Sequence, residues 1–327
     1  MRLPRLKTRL AALALAGSAF AVSACGLEAT AALPFSVEPG SIKHQPELEG
    51  VQITVASKDF TEQIILSYIT QLALQAAGAD VVDFSNIAGS ASARQALEKG
   101  EVDVTWEYTG TGWLNYLGQD EQIPDEQEMY DRVKAADLRE NGIVWLDYSE
   151  LNNTYAFALS KKSAKQLDVD TVSELAEELR KRPNQAVYCL ETEFASRPDG
   201  MPGAVNTYDL PVTETKNFGT GAVYAALNDG NCQVGEVFTT DGRILALGLK
   251  VLEDDKQFFP QYNAAPTLRE DFYQENPKIA EVLKPISDAL NNDEMIKMGA
   301  RVDVDGESAP DVARDWLVDK GFVTNPS

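Results

Sequence analysis

The sequence predicts an α/β protein built as two similar lobes, and three observations carry that expectation. Strand-like and helix-like apolar patterns alternate along most of the chain. A helix–glycine–strand–aromatic unit occurs twice with equal internal spacing. The 327 residues are 44% hydrophobic, enough for one large or two medium domains with buried cores.

The alternation opens with Val51-Gln52-Ile53-Thr54-Val55-Ala56, where every second residue is apolar, as in a half-buried strand. Asp59 follows as a helix N-cap, with Glu62 three residues on at the spacing of a capping box. Ile64, Ile65, Tyr68, Ile69 and Leu72 then recur with helical spacing, and the helix runs to Gly78. A strand near 81–85, a helix over 92–98 ending at Gly100 and a strand over 102–106 come next. The rhythm continues at 126–141, 144–146, 156–159, 172–180 and 186–190. Such alternation gives mostly parallel sheets covered by helices. Asp254-Asp255 reads as a solvated turn. Asp303-Val304-Asp305-Gly306-Glu307 lacks the ligand spacing of a calcium loop and leads into a helix capped by Ser308, with Pro310 in its first turn.

The repeated unit is the most informative of these patterns. Ala96-Leu97-Glu98-Lys99-Gly100 precedes a strand, and eight residues beyond Gly100 stands Tyr108, at the head of Tyr108-Thr109-Gly110-Thr111-Gly112. Ala226-Leu227-Asn228-Asp229-Gly230 likewise precedes a strand, and eight residues beyond Gly230 stands Phe238, at the head of Phe238-Thr239-Thr240-Asp241-Gly242. Each unit therefore places an aromatic at the C-terminal end of a strand, where open α/β sheets bind ligands. Two lobes each offering a ring to a shared cleft follow from this.

Composition excludes several functions. The 51 acidic residues outnumber 29 basic ones, for a formal charge of -22, opposite to the basic patch of a nucleic-acid binder. One histidine, His44, argues against His-centred catalysis and multi-His metal sites, and three cysteines are too few for a Cys-rich zinc domain. No Gly-x-x-x-x-Gly-Lys cradle for phosphate occurs, so the chain itself is not expected to hydrolyse ATP. With no nucleophile motif present, an enzyme is not expected, and neither metal nor cofactor is called for.

The N-terminus reads as an address. Arg2, Arg5, Lys7 and Arg9 precede an apolar run over 10–22 that is too short for a spanning helix. The run closes on Val22-Ser23-Ala24-Cys25, which resembles a bacterial lipobox. Cleavage before Cys25 and its diacylation would give two acyl chains, enough for lasting anchorage. Residues 1–25 are then a signal peptide and 26–49, which include His44, a tether. This puts the domain in an oxidising, extracytoplasmic compartment. The two remaining cysteines, Cys189 and Cys232, are expected to pair there.

Six ordered motifs are more specific still. They are Ser57-Lys58-Asp59-Phe60-Thr61-Glu62-Gln63, Glu107-Tyr108-Thr109-Gly110-Thr111, Asn153-Thr154-Tyr155-Ala156, the stretch 193–200, Thr240-Asp241-Gly242-Arg243-Ile244 and the stretch 252–266. Together they resemble the substrate-binding lipoproteins of osmoprotectant ABC importers, which capture glycine betaine, choline, carnitine and related quaternary amines. The resemblance spans about residues 50–320. It implies the two-lobed periplasmic-binding-protein fold of type II, with one lobe at 50–153 and 254–327 and the other at 154–253. It also implies a monomeric receptor that serves a membrane permease driven by a separate ATPase.

The same resemblance implies a ligand site. An aromatic box falls on Tyr108, Tyr155, Phe238 and Tyr262, with Phe238 standing where the family usually has tyrosine. Lys58, Thr111 and Arg197 fall where a ligand carboxylate would be held. Arg197 could instead pair with Asp199 or Glu193, and Lys58 could be a solvated charge. Relatives often carry Gly-Gly-Thr where this chain has Gly89-Ser90-Ala91-Ser92. The alternative ligand class is another small zwitterion, such as an amino acid.

Overall fold

The computed structural model describes residue 33 and residues 36–326, so the leader and Cys25 lie outside the described residues. Among the described residues no helix is long and apolar enough to cross a membrane. Strands β1 (Glu38–Pro39), β2 (Gln52–Lys58), β3 (Asp80–Ile87), β4 (Val104–Tyr108), β5 (Ile143–Trp145) and β6 (Tyr155–Leu159) occupy the first half. Strands β7 (Val187–Glu191), β8 (Glu214–Phe218), β9 (Val234–Phe238), β10 (Lys250–Val251), β11 (Ala264–Arg269) and β12 (Val323–Thr324) follow. Helices separate most of them, as the periodicity predicts, but none stands between β5 and β6 or between β10 and β11.

Two five-stranded sheets carry the fold, ordered β3-β2-β4-β11-β5 and β8-β7-β9-β6-β10. They correspond position by position. In the first, β3, β2 and β4 run parallel while β11 is antiparallel to both β4 and β5. In the second, β8, β7 and β9 run parallel while β6 is antiparallel to both β9 and β10. In each sheet four strands therefore share one direction, as expected, and one, β11 or β6, runs against them. The βα rhythm accounts for the parallel strands. The reversed strand arises because β6 and β11 each enter straight from a crossing between the sheets, with no helix to reverse the chain.

The two crossings run side by side. Asn152 and Asn263 form an isolated antiparallel bridge, and Asn153 N donates to Tyr262 O at 3.2 Å. Tyr262 N returns a bond to the Asn152 side chain at 2.9 Å, and Thr154 Oγ1 donates to Pro260 O at 3.2 Å. Asp254, expected as a solvated turn residue, instead organises the return path. Its carboxylate accepts the backbone N–H of Phe258 and Phe259 at 3.0 and 2.8 Å, and also the Tyr208 hydroxyl.

The helix Thr61–Ala76 packs between β2 and the C-terminal helix Ala309–Asp319, burying Ile65, Leu66, Ile69 and Leu72 completely. Its start differs from the capping-box expectation: Phe60 is the N-cap residue and no side chain caps it. Asp59 accepts Gly89 N at 3.3 Å, and Glu62 turns inward to partners far away in sequence. Local spacing permitted a box, but tertiary partners outbid it. The Ser308 cap forms as expected, accepting Asp311 N.

Residues 36–49 are also not a free tether. Strand β1 pairs with β12, and Val37, Ile42 and Leu48 are buried in the main core. Gln45 N donates to Ala77 O, tying this segment to the end of the first long helix. His44 sits there half exposed, beside Glu49. Cys189 on β7 and Cys232 ahead of β9 form a disulfide, buried among Ala156, Val223 and Leu227.

One buried carboxyl predicts a pH effect. Glu236 on β9 is 2% exposed; its Oε2 accepts Glu191 N at 3.1 Å, while Oε1 has no partner among the described residues. Burial pushes its pKa up to about 8. The native state then keeps a proton that the unfolded chain releases near the usual carboxyl pKa, so this group's contribution to stability falls as pH rises through that window. Glu236→Gln removes the slope. Relative to the unaltered protein it is expected to gain ~2 kcal/mol on going from about pH 5 to about pH 8, allowing for relaxation around the charge. Denaturation curves at both pH values check this; a constant difference refutes it.

Candidate ligand-binding site

Strands β4 and β9 end side by side with the strands that enter from the crossings. Tyr108, the last residue of β4, is in register with Ala264 of β11, and Phe238, the last of β9, with Tyr155 of β6. Tyr262 lies on the return crossing, two residues before β11. Around these ends opens a cavity of about 750 Å³, lined by both sheets. Such a place, outside the ends of α/β strands, is where the fold leaves backbone and side chains free for a ligand.

All four expected rings line this cavity. Tyr155 is central: its ring centroid lies 5.1 Å from Phe238 and 5.3 Å from Tyr262, the latter edge-on at 82°. A fifth ring, Phe60, completes the wall. It stacks on Phe238 at 5.3 Å and 7°, and on Tyr108 at 6.2 Å and 25°, linking the aromatic of one sheet to that of the other. Phe60 was missed because it reads as part of a helix start; its only sequence signal is membership of the 57–63 motif. Phe238 sits between Phe60 and Tyr155, so a phenylalanine fills a place with ring faces on two sides. Gly110 makes room for Tyr262: a Cβ there would lie 2.7 Å from its ring.

Three tyrosine hydroxyls of the cavity wall donate to buried carboxylates. Tyr108 donates to Glu62 Oε1 at 2.7 Å, Tyr262 to Asp199 Oδ2 at 2.5 Å, and Tyr116, also in the cavity wall, to Glu107 Oε1 at 2.9 Å. Glu62 further accepts Asn153 Nδ2 at 3.0 Å and Thr240 Oγ1 at 2.6 Å, joining the first helix, a crossing and the turn after β9. Burial raises its pKa despite these donors.

Lys58, Thr111 and Arg197 line the same cavity, and none of the two cations is unpartnered. Lys58 Nζ binds Glu107 Oε2 at 2.7 Å and lies 5.1 Å from the Tyr108 ring centre. Arg197 forks onto Asp199, with Nε to Oδ1 at 2.8 Å and Nη2 to Oδ2 at 2.5 Å. Its Nη1 reaches Glu193 at 3.0 Å and Nη2 reaches Thr111 Oγ1 at 3.3 Å, and its guanidinium lies 5.6 Å from the Tyr155 ring. Burial opposes charge on Asp199, but the Arg197 and Tyr262 hydrogen bonds outweigh it and lower its pKa. Ser90 N donates to Glu193 Oε2 at 3.0 Å, so Glu193 ties the mouth of the first lobe to Arg197 of the second. Among the described residues no group of His, Cys, Asp and Glu could hold a metal ion.

Comparison with known proteins agrees with this architecture. A family model described as the substrate binding domain of ABC-type glycine betaine transport system matches residues 51–319. The glycine-betaine-binding protein of Pseudomonas aeruginosa is 39% identical over 272 residues, covering 81% of this chain and 86% of that protein. An ergothioneine transport permease/ergothioneine binding protein of Helicobacter pylori is 30% identical over 272 residues, 83% of this chain but 48% of that one. A crystal structure of a glycine betaine/carnitine/choline ABC transporter superposes with a TM-score of 0.67 at 25% identity, covering 83% of this chain and 99% of that chain. With two corresponding mixed sheets and a ring-lined cavity between them, the chain belongs to the family of substrate-binding domains of ABC-type glycine betaine transport systems.

Proposed function

We propose that the chain captures a quaternary ammonium compound between its two lobes, 50–153 with 254–327 and 154–253, and delivers it to a membrane permease. The observation that carries this reading is the convergence of Phe60, Tyr108, Tyr155, Phe238 and Tyr262 on one cavity. A quaternary nitrogen has no N–H to donate, so hydrogen bonds cannot grip it. Ring faces offer electrostatic attraction and apolar contact together, about 0.5–2 kcal/mol each. Lys58 and Arg197 would meet the polar or anionic end of such a ligand through the donors their carboxylate partners leave free, and Thr111 through its hydroxyl.

A ligand touching both lobes stabilises the arrangement in which they meet, so binding favours closure by population shift. The receptor acts as an extracytoplasmic monomer, held at the membrane by lipid on Cys25, beside a permease with its own ATPase subunit. Catalysis has no part in this cycle.

Calorimetry of the soluble domain with glycine betaine, choline, carnitine and ergothioneine tests the reading. Saturable heat with at least one of them, together with a raised melting temperature, is the expected result. Silence with all four rejects it, and binding of glycine without its trimethylated form moves the assignment to an amino acid.

A further inference from the structure

The cavity wall contains two cations and is nevertheless lined by rings suited to a third. Lys58 and Arg197 already lie 5.1 and 5.6 Å from the ring centres of Tyr108 and Tyr155, close enough to repel a quaternary nitrogen placed among them. What offsets them is a set of buried carboxylates at the hydroxyl ends of the rings. Glu107 is 0% exposed and divides its oxygens between Lys58 Nζ and the Tyr116 hydroxyl. Asp199 is 3% exposed and receives both the Arg197 fork and the Tyr262 hydroxyl. Glu62 is 7% exposed and takes the Tyr108 hydroxyl without any cation of its own. The arrangement recurs three times: one carboxylate, one cavity-lining phenol, and in two cases one neighbouring cation.

A phenol that donates a hydrogen bond to a carboxylate becomes richer in electrons, and its face more negative, which strengthens its hold on a cation. Taking the reading of the site as a quaternary-amine cage, we propose that Asp199, Glu107 and Glu62 set the net ligand charge that the cavity accepts. They act through the tyrosines and through Lys58 and Arg197, as positioning residues rather than as ligand contacts. Asp199 is the pivotal member, because it serves Arg197 and Tyr262 at once. A neutral residue there leaves Arg197 with Glu193 as its one carboxylate partner among the described residues, and the guanidinium then works against a positive ligand and for an anionic group.

The test compares three ligands of similar shape and different charge: choline, glycine betaine and the uncharged isostere 3,3-dimethylbutan-1-ol. Asp199→Asn keeps the size and an acceptor oxygen but removes the charge. Its affinity for choline is expected to fall about tenfold or more, that for glycine betaine clearly less, and that for the isostere hardly at all. Glu62→Gln, with no cation beside the carboxylate, is expected to weaken choline and glycine betaine equally, by about threefold, and to spare the isostere. Titration calorimetry gives the two charged ligands, and competition against choline gives the weaker isostere. A merely structural role would weaken all three ligands in proportion, and that outcome in both variants overturns the inference. Should Asp199→Asn fail to fold, the choline-to-isostere ratio in Glu62→Gln decides: a fall supports the inference and an unchanged ratio overturns it. If the unaltered protein binds neither charged ligand, the cage reading itself fails and this inference with it. Normal binding by the unaltered protein with unchanged ratios in the variants removes the inference alone.

Discussion

Replacing Tyr155 by alanine is expected to weaken quaternary-amine binding by about a hundredfold or more, whereas phenylalanine at the same place keeps it within about fivefold. The asymmetry follows from what the side chain touches. Tyr155 opens β6 at the junction of the crossings, and its ring meets Phe194 at 4.9 Å, Phe238 at 5.1 Å, Tyr262 at 5.3 Å and Phe259 at 6.1 Å. Truncation removes one ring face and also the support of two others, so the cage loses shape as well as one wall. Loss of a single cation–π contact accounts for roughly 0.5–2 kcal/mol, and disorder of the neighbours supplies the remainder. The hydroxyl matters less, since burial and nearby charges, rather than a hydrogen bond among the described residues, set its surroundings. Tyr108 and Tyr262 differ on this point, because their hydroxyls donate to Glu62 and Asp199. Calorimetry on the two variants checks the expectation. Equal losses in both would mean that the hydroxyl, not the ring, grips the ligand.

Much of this site can be read in the sequence, for a definite reason. Strand ends and glycine caps are local features, so the two units ending at Tyr108 and Phe238 show their equivalence without any tertiary information. The structure places them at matching positions in matching sheets. Strand direction is different. Nothing within β6 or β11 says that each is entered from a crossing, and the one reversed strand of each sheet stays hidden until the chain is followed between lobes. Glu62 shows the opposite failure. Its spacing from Asp59 suits a capping box, but its actual partners lie 46, 91 and 178 residues away, beyond the reach of any local pattern. The same holds for β1, whose pairing with β12 closes the two ends of the described chain, and for Val37, Ile42 and Leu48, which follow no period. Phe60 belongs to both cases: its motif was visible, but its place between Tyr108 and Phe238 was not.

Removing the bond between Cys189 and Cys232 is expected to lower the stability of the second lobe by about 4 kcal/mol, from the loop entropy released to the unfolded chain. The two residues are 43 apart, and the loop they close contains the helix Met201–Tyr208, β8 and the helix Thr220–Asn228, with β7 and β9 at its edges. The whole parallel half of the second sheet therefore hangs from this link, while the first sheet has no covalent share in it. That asymmetry makes a stronger prediction than a lowered melting point. In a Cys189→Ala, Cys232→Ala protein the second lobe is expected to melt first, as a separate transition on the order of 10 °C below that of the unaltered protein. Saturating ligand, by touching both lobes, should draw the two transitions back together. Scanning calorimetry with and without ligand resolves this. The unaltered protein unfolded in the presence of reductant must reproduce the double variant, because both lack the same constraint. A single transition at an unchanged temperature would show that packing around Val223 and Leu227, rather than the covalent link, holds the parallel strands in place.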